Sequence, residues 1–377
     1  MPRIAARDEI RSWMFGTALP LWARAGVDRQ NGGYIEQLTL EGRDADIPFK
    51  RARVTGRQIY VFSHAAMLGW PEGNALAAHG VSFLTEKTWL GPTKGFARTL
   101  TRTGEALDST PDLYDAAFAL FALAWRHRAV KDAQSRDWMF KTLDYVETHL
   151  RHPSGVGFWH ELPPKGSRQQ NPHMHLTEAC LVAYAATGEE RFGATARTLV
   201  ELYATRFFDK KTGTLHEYFA DDWSPAPGDE GRIVEPGHMM EWAWILNEAR
   251  KLLGVDTADI IRTSIKFAET YGVDPKTAVT FNTVRDDGQP IDRGSRTWPN
   301  TERIKAAVAL YELDGVDPAP VIDASSRLLL DRYLKTDMPG LWIDAFDAEG
   351  RPLNKTVPAS TLYHVFLAFA EVLRIAD

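Results

Sequence analysis

The sequence predicts an all-α protein: an (α/α)6 barrel, a toroid of six helical hairpins in an inner and an outer ring, with short β-ribbons in its long loops. Three observations predict it. Apolar residues recur at helical spacing in twelve segments. Ten of these segments pair across short turns that typically contain Gly or Pro, as helical hairpins do. The first helices of the pairs recur about every 60 residues, which is a sixfold internal repeat.

In chain order, the opening segment at 5–25 stands alone. The hairpins follow as 55–69/74–88, 110–128/132–150, 173–187/191–208, 236–253/256–271 and 299–314/318–334, and a last helix spans 358–374. Within each unit the first helix is apolar nearly all round, as in DAAFALFALAW (115–125), MMEWAWIL (239–246) and TLYHVFLAFA (361–370). The second is amphipathic, as in DAQSRDWMFKTLDYVETHL (132–150). An all-apolar helix belongs inside and an amphipathic one faces water, so the first helices form the inner ring. The long loops carry a short alternating run, usually opened by Gly, at 32–39, 94–101, 155–162, 213–220, 278–284 and 340–346, each reading as a short strand or ribbon. An open solenoid would end in polar capping repeats. The end units here are as apolar as the others, so the ring is expected to close, with 5–25 beside 358–374, as one domain spanning 1–377.

A hydrophobic fraction of 44% against 25% charged residues gives a large core and excludes a disordered chain. The net charge of −6, with no basic run longer than Lys50-Arg51, argues against a nucleic-acid partner. Cys180 is the single cysteine, which excludes an internal disulfide and a cysteine-rich zinc site. The N-terminal residues show no apolar signal region, and no uncharged apolar stretch is long enough for a membrane span, so a cytoplasmic location without membrane contact is expected. The 12 Trp, 11 Tyr and 18 Phe suit a pocket for a ligand with flat apolar faces, such as a sugar ring. No phosphate loop, dinucleotide fingerprint or Gly-x-Ser-x-Gly elbow occurs.

In such a fold, residues near the starts of the inner helices converge on one mouth. Those positions hold Arg57, Tyr114, Asp115, His175, Glu178, His238, Glu241, Glu302 and His364. His175/Glu178 and His238/Glu241 stand as His-x-x-Glu, a spacing that puts both side chains on one helix face. A carboxylate beside imidazole fixes its tautomer and raises its basicity, as a general base requires. The same four residues could hold two metal ions, although carboxylate-bridged iron sites use the reverse order, Glu-x-x-His. Inverting glycoside hydrolysis would draw its acid and base from Asp115, Glu178, Glu241 and Glu302 and would leave the histidines without a role. A carbohydrate-binding toroid without catalysis would have no need of three histidines and Arg57.

The blocks RQIYVFSHA (57–65), NPHMHLTEA (171–179), EPGHMMEWAW (235–244), WPNTERIKA (298–306) and STLYHVFLAFAE (360–371) together resemble the N-acylglucosamine 2-epimerase superfamily, from about residue 13 to 371. That superfamily includes cellobiose 2-epimerases and aldose–ketose isomerases and has an (α/α)6 barrel. The resemblance implies that His238 and His364 are the acid/base pair at the sugar C2 and that His175 serves ring opening. It implies that Arg57 holds the O1/O2 edge and Glu241 orients His238. Asn171, Glu178, Trp298, Glu302, Tyr114 and Asp115 would shape the pocket, with Trp298 as a stacking surface. No cofactor and no metal are implied. The NPHMHLTEA and EPGHMMEWAW pair looks closest to the mannose-isomerase branch, so the expected reaction is D-mannose to D-fructose through an enediolate. A 2-epimerase of an N-acylglucosamine or another sugar is the alternative, as is isomerisation of a phosphorylated hexose such as mannose 6-phosphate, for which Lys50, Arg51 and Arg53 lead into Arg57. A monomer or homodimer is expected.

Overall fold

The computed structural model describes residues 1–376 and is mostly helical. Thirteen α-helices are found among the described residues: α1 (Arg7–Ser12), α2 (Leu19–Ala25), α3 (Ala52–Met67), α4 (Gly73–Phe83), α5 (Leu113–Val130), α6 (Ala133–Tyr145), α7 (Asn171–Thr187), α8 (Glu190–Leu202), α9 (Pro236–Leu253), α10 (Ala258–Tyr271), α11 (Thr297–Asp314), α12 (Ala319–Leu328) and α13 (Leu362–Ile375). Local chemistry sets their ends. Asp112 caps α5 by accepting from the Asp115 N–H, and Pro172 and Pro236 occupy the first turns of α7 and α9, where no amide donor is needed. Gly188, Gly254 and Gly315 stop α7, α9 and α11 in the left-handed conformation.

The periodic segments match these helices with three differences, the first being that the opening segment 5–25 is divided by a π-helical stretch at Trp13–Ala18. Several second helices widen at their C-termini into a π-turn, at Leu84–Thr88, Val146–Leu150, Tyr203–Phe207 and Leu329–Tyr333. Helix α3 starts at Ala52, so Arg57 lies in its second turn. The ribbons are shorter than their alternation suggests, two or three residues each, and 155–162 holds only isolated bridges, Arg151 with Phe158 and Asp112 with Glu161. What recurs instead is a single hydrogen bond. The N–H groups of Ile35, Ala97, Trp159, His216, Phe281 and Ile343 donate to the carbonyls of Gly26, Thr88, Leu150, Phe207, Gly272 and Tyr333. Each ties a loop back onto the end of the preceding second helix, once per repeat.

The chain divides into two compact units: Ala23–Leu38 with Asp44–Leu202, and Met1–Trp22 with Thr39–Arg43 and the chain from Tyr203 onward. In the former, α3, α5 and α7 pack side by side, with α4, α6 and α8 packed on them. Phe49–Arg51, Thr99–Thr101 and Ala106–Asp108 form an antiparallel sheet. In the latter, α11 packs between α9 and α13, backed by α10 and α12, and α1 lies against α13 with Trp13 edge-on to Phe369 at 5.8 Å. The first helices are buried nearly all round, as in the run Ala116–Ala124 of α5. Among the described residues no helix is long and apolar enough to cross a membrane.

The contact between α3 and α5 sets the place of Arg57. A Cβ at Gly56 would stand 2.6 Å from the Phe118 carbonyl oxygen, and backbone cannot yield as a side chain can. Gly56→Ala should therefore lower stability by about 1–3 kcal/mol, seen as a lower midpoint of urea unfolding with an unchanged m-value. An unchanged midpoint would refute the close approach.

Candidate active site

In the unit that contains α9, α11 and α13, two imidazoles lie against one indole. His238 is the third residue of α9 and His364 the third of α13. Trp298, near the start of α11, has its ring 4.9 Å from His238 and 5.5 Å from His364, at 34° and 38°. The indole comes this near because residue 237 is glycine: a Cβ there would fall 2.7 Å from two atoms of the Trp298 ring. Both histidines are buried among polar groups. His238 Nδ1 is 2.9 Å from Glu217 Oε2 and 3.8 Å from Glu235 Oε2, and His364 Nδ1 is 2.9 Å from Glu302 Oε1. An ionised carboxylate can only accept, so each Nδ1 carries the hydrogen and Nε2 is the nitrogen that can take up or release a proton.

The spacing argument assigns Glu241 to His238, and the structure corrects this. Helical side chains lean toward the N-terminus, so His238 reaches back to the loop before α9, where Glu217 and Glu235 stand. Glu241, one turn on, has Oε1 3.8 Å from Lys305 Nζ on α11. Glu302 is fully buried, with one oxygen on His364 and the other 2.6 Å from Lys305 Nζ, so it holds a histidine. Burial opposes its charge, but Lys305 and His364 outweigh that effect and hold Glu302 at about 2. Burial also opposes the charged form of His238. Glu217 and Glu235, with a contribution from Glu241, outweigh it and push the imidazole up to about 9.

Glu217 is the partner of His238 that the motif reading missed, and the repeat could have found it. Glu36, Arg98, Glu217, Asn282 and Asp344 each directly follow the residue that makes the recurrent loop hydrogen bond. Each side chain meets the N-cap residue of the next first helix. Glu36, Glu217 and Asn282 accept from the backbone N–H of Arg51, Glu235 and Arg296. Arg98 pairs with the Asp112 carboxylate and Asp344 accepts from the Thr361 hydroxyl. Glu217 is thus a helix cap whose second oxygen is spent on His238.

The other unit holds a second cluster. Arg57 Nη2 donates to the Tyr114 hydroxyl at 2.7 Å, and its guanidinium lies 4.4 Å from the Phe118 ring centre. His175 stands edge-on to Tyr114 at 4.9 Å, with Nδ1 3.5 Å from Glu178 Oε2, so this His-x-x-Glu pair meets as its spacing predicts. Its neighbour His173 is structural: Nε2 accepts from the Phe158 N–H and Nδ1 faces the Gln169 carbonyl. Asn171 begins α7, and its side-chain oxygen is buried there. Asp115 is fully buried and takes Nε and Nη2 of Arg53 at 2.9 and 2.8 Å, and the Arg53 N–H as well. The basic residues before Arg57 are likewise engaged, Lys50 with Asp28, Arg51 with Glu36 and Arg53 with Asp115, which leaves no unpaired cation run for a phosphate.

Two groups in the first cluster have ligand atoms within 4.8 Å of one another, Glu217/Glu235/His238 and Glu241/Glu302/His364, and either could meet a cation. In the second group the ammonium of Lys305 already answers the carboxylates.

Comparison with known proteins places the chain in a family. The family model for N-acylglucosamine 2-epimerase matches residues 33–368. A mannose-6-phosphate isomerase of Rhizobium meliloti (strain 1021) is 34% identical over 372 residues, covering 97% of this chain and 96% of that protein. A solved D-mannose isomerase superimposes with a TM-score of 0.88 at 20% identity, covering 99% of each chain. Cellobiose 2-epimerase from Bacillus thermoamylovorans B4167 does so with 0.87 at 21%, covering 97% of this chain and 98% of that one. These likenesses show the (α/α)6 fold that the sixfold repeat predicts.

Because His238 binds its proton more tightly folded than unfolded, its contribution to stability is full below pH about 6.5 and is lost as pH rises through about 9. A rise from 6.5 to about 9 corresponds to roughly 3 kcal/mol. Glu217→Gln should lower the His238 midpoint followed by NMR and flatten the fall in stability over that pH window. An unmoved midpoint would show that Glu217 does not control this histidine.

Proposed function

Because the chain belongs to the N-acylglucosamine 2-epimerase family and is a sugar isomerase or epimerase, we propose that it interconverts an aldose and a ketose, D-mannose and D-fructose, through an enediolate. The observation that carries this reading is the pair of carboxylate-anchored imidazoles against Trp298. A proton on carbon beside a carbonyl is weakly acidic, so its removal needs a base of near-neutral strength and a charge-stabilising partner for the enediolate. His364 Nε2 is the proposed base at C2, and His238, protonated at neutral pH, is the proposed donor. Return of the proton to C1 yields the ketose; return to the opposite face of C2 would yield the epimer.

In this reading Arg57 stabilises the oxygens of the enediolate and His175 assists ring opening. Asn171, Glu178 and Tyr114 shape the sugar site and Trp298 stacks on the ring. Residues 1–377 act as one catalytic domain, since the six-unit repeat runs through both units. Isomerisation of mannose 6-phosphate is the second reading, favoured by the name of the relative at 34% identity.

Proton NMR in D2O with mannose, mannose 6-phosphate, N-acetylglucosamine and cellobiose tests both. Ketose from mannose, with deuterium entering at C1 or C2, is the expected outcome. Turnover of the phosphate ester alone would select the second reading, and a C2 epimer without ketose would overturn both. His364→Ala and His238→Ala should each lower kcat about 10²–10⁴-fold with the fold retained. The alkaline limb of the wild-type kcat profile should fall near pH 9, where His238 loses its proton.

A further inference from the structure

Lys305 is the one residue of the first cluster for which neither the motifs nor the proposed reaction provides a role. It stands on α11 one turn after Glu302 and is fully buried. Its ammonium meets Glu302 Oε2 at 2.6 Å and faces Glu241 Oε1 of α9 at 3.8 Å. It also lies 4.6 Å from the centre of the Trp244 ring, whose indole N–H donates to Glu371 of α13. Charged groups from α9, α11 and α13 thus surround it: Glu241, Glu302, His364 through Glu302, and Glu371 through Trp244. A buried lysine is costly unless paired, and a hydrophobic residue in the same space would leave the buried Glu302 carboxylate without its cation. The cation in this place is therefore tied to the charge state of that carboxylate.

The two histidines differ in what stands behind their carboxylates. Behind His238 two carboxylates, Glu217 and Glu235, face one imidazole, and the cation near them, Arg296, pairs with Glu235 at 2.9 Å. Behind His364 stand Glu302 and, within 4.8 Å, Glu241. Here the cation meets the anchoring carboxylate itself: the second oxygen of Glu302 is on Lys305, whereas Arg296 meets Glu235 and not the Glu217 that anchors His238. We propose that Lys305 is a positioning residue that makes the two histidines unequal: by neutralising Glu302 it lets that carboxylate orient His364 without holding a second proton on it, so that His364 is the base and His238 the donor. This assignment rests on the proposed isomerase reading. The neutralisation itself concerns only groups of the resting protein and can be read without substrate.

The physical argument is one of charge. Hydrogen bonding from Nδ1 to a carboxylate fixes the tautomer in either case, but a full negative charge beside imidazole also favours imidazolium. A base must be unprotonated before it can act. Lys305 separates these two effects, keeping the hydrogen bond while cancelling most of the field. It also keeps Glu302 ionised, so that its lone pairs remain turned to Nδ1.

The test is Lys305→Met, which keeps the length and removes the charge, with Lys305→Gln as a second variant should the first fail to fold. Nitrogen-15 NMR of the imidazoles without substrate should show the His364 titration midpoint moving upward by about one unit while that of His238 moves much less. If wild-type protein turns over sugar, kcat at neutral pH should fall about 10-fold or more with KM within about threefold, and the acid limb of the kcat profile should shift upward with the midpoint. Glu302→Gln combined with Lys305→Met should be no worse than Glu302→Gln alone, because the lysine acts through that carboxylate. An unmoved His364 midpoint in a folded variant would overturn the proposal, as would additive losses in the double variant. A shifted midpoint in a protein that isomerises no sugar would uphold the neutralisation and remove the isomerase reading.

Discussion

An ionised carboxylate placed behind an imidazole, away from water, is the interaction on which the first cluster depends. Neither partner is stable there alone: a buried charge without a partner costs several kcal/mol, and an unanchored imidazole has two tautomers and free rotation about its bonds. Together each settles the other. The cost is met by local structure. Glu217 is kept in place by its hydrogen bond to the N-cap of α9, and Glu302 by Lys305. His238 sits in the first turn of α9, where the helix dipole works against an imidazolium. Glu217 and Glu235 outweigh burial and keep the imidazole's proton held.

The repeat explains how such a device arises in this fold. Every unit must close its loop onto a second helix and then start a first helix. The chain does so with one backbone hydrogen bond and, in five of the six units, with a polar side chain that meets the next N-cap. A residue at that point already lies beside the first turn of a largely buried helix. In the unit of α9 the cap is long enough for its second oxygen to reach a histidine one turn in. The same scaffold position serves structure with Glu36 and Asn282 and chemistry with Glu217, and only the residue that it faces differs.

Much of this was legible in the sequence, and the limits have physical reasons. The twelve helical segments and the sixfold repeat were readable because helix burial leaves a period in the chain. His175 with Glu178, the two histidines of the first cluster and Trp298 were readable because unusual polar residues near helix starts stand out. Partners from other elements were not. The spacing His238/Glu241 obeys the helix rule, yet a side chain in the first turn points out of the helix toward the preceding loop, which spacing within the helix does not describe. Lys305 looked like an ordinary residue of an inner helix, since nothing along the chain marks a lysine as buried. Asp115 looked available because its engagement by Arg53 joins residues far apart in sequence. The basic run 50–53 reads as exposed and cationic, while Lys50 is among the most buried side chains.

The chemistry of a sugar isomerase asks that two similar groups behave differently at one pH. Two imidazoles with identical surroundings would gain and lose protons together, and a pair that is wholly protonated or wholly neutral can move a proton in only one direction. Unequal surroundings remove that difficulty. In the proposed reading His238, anchored by Glu217 while the nearby Arg296 meets Glu235 instead, keeps a proton to give, and His364, anchored by a carboxylate that a lysine neutralises, can receive one. After one transfer their states are exchanged, which is the starting point for the reverse reaction. An enzyme that runs an aldose–ketose equilibrium in both directions needs this symmetry of roles over the cycle together with asymmetry at rest. The second comes from what lies behind each ring, and the first from the two rings being the same residue.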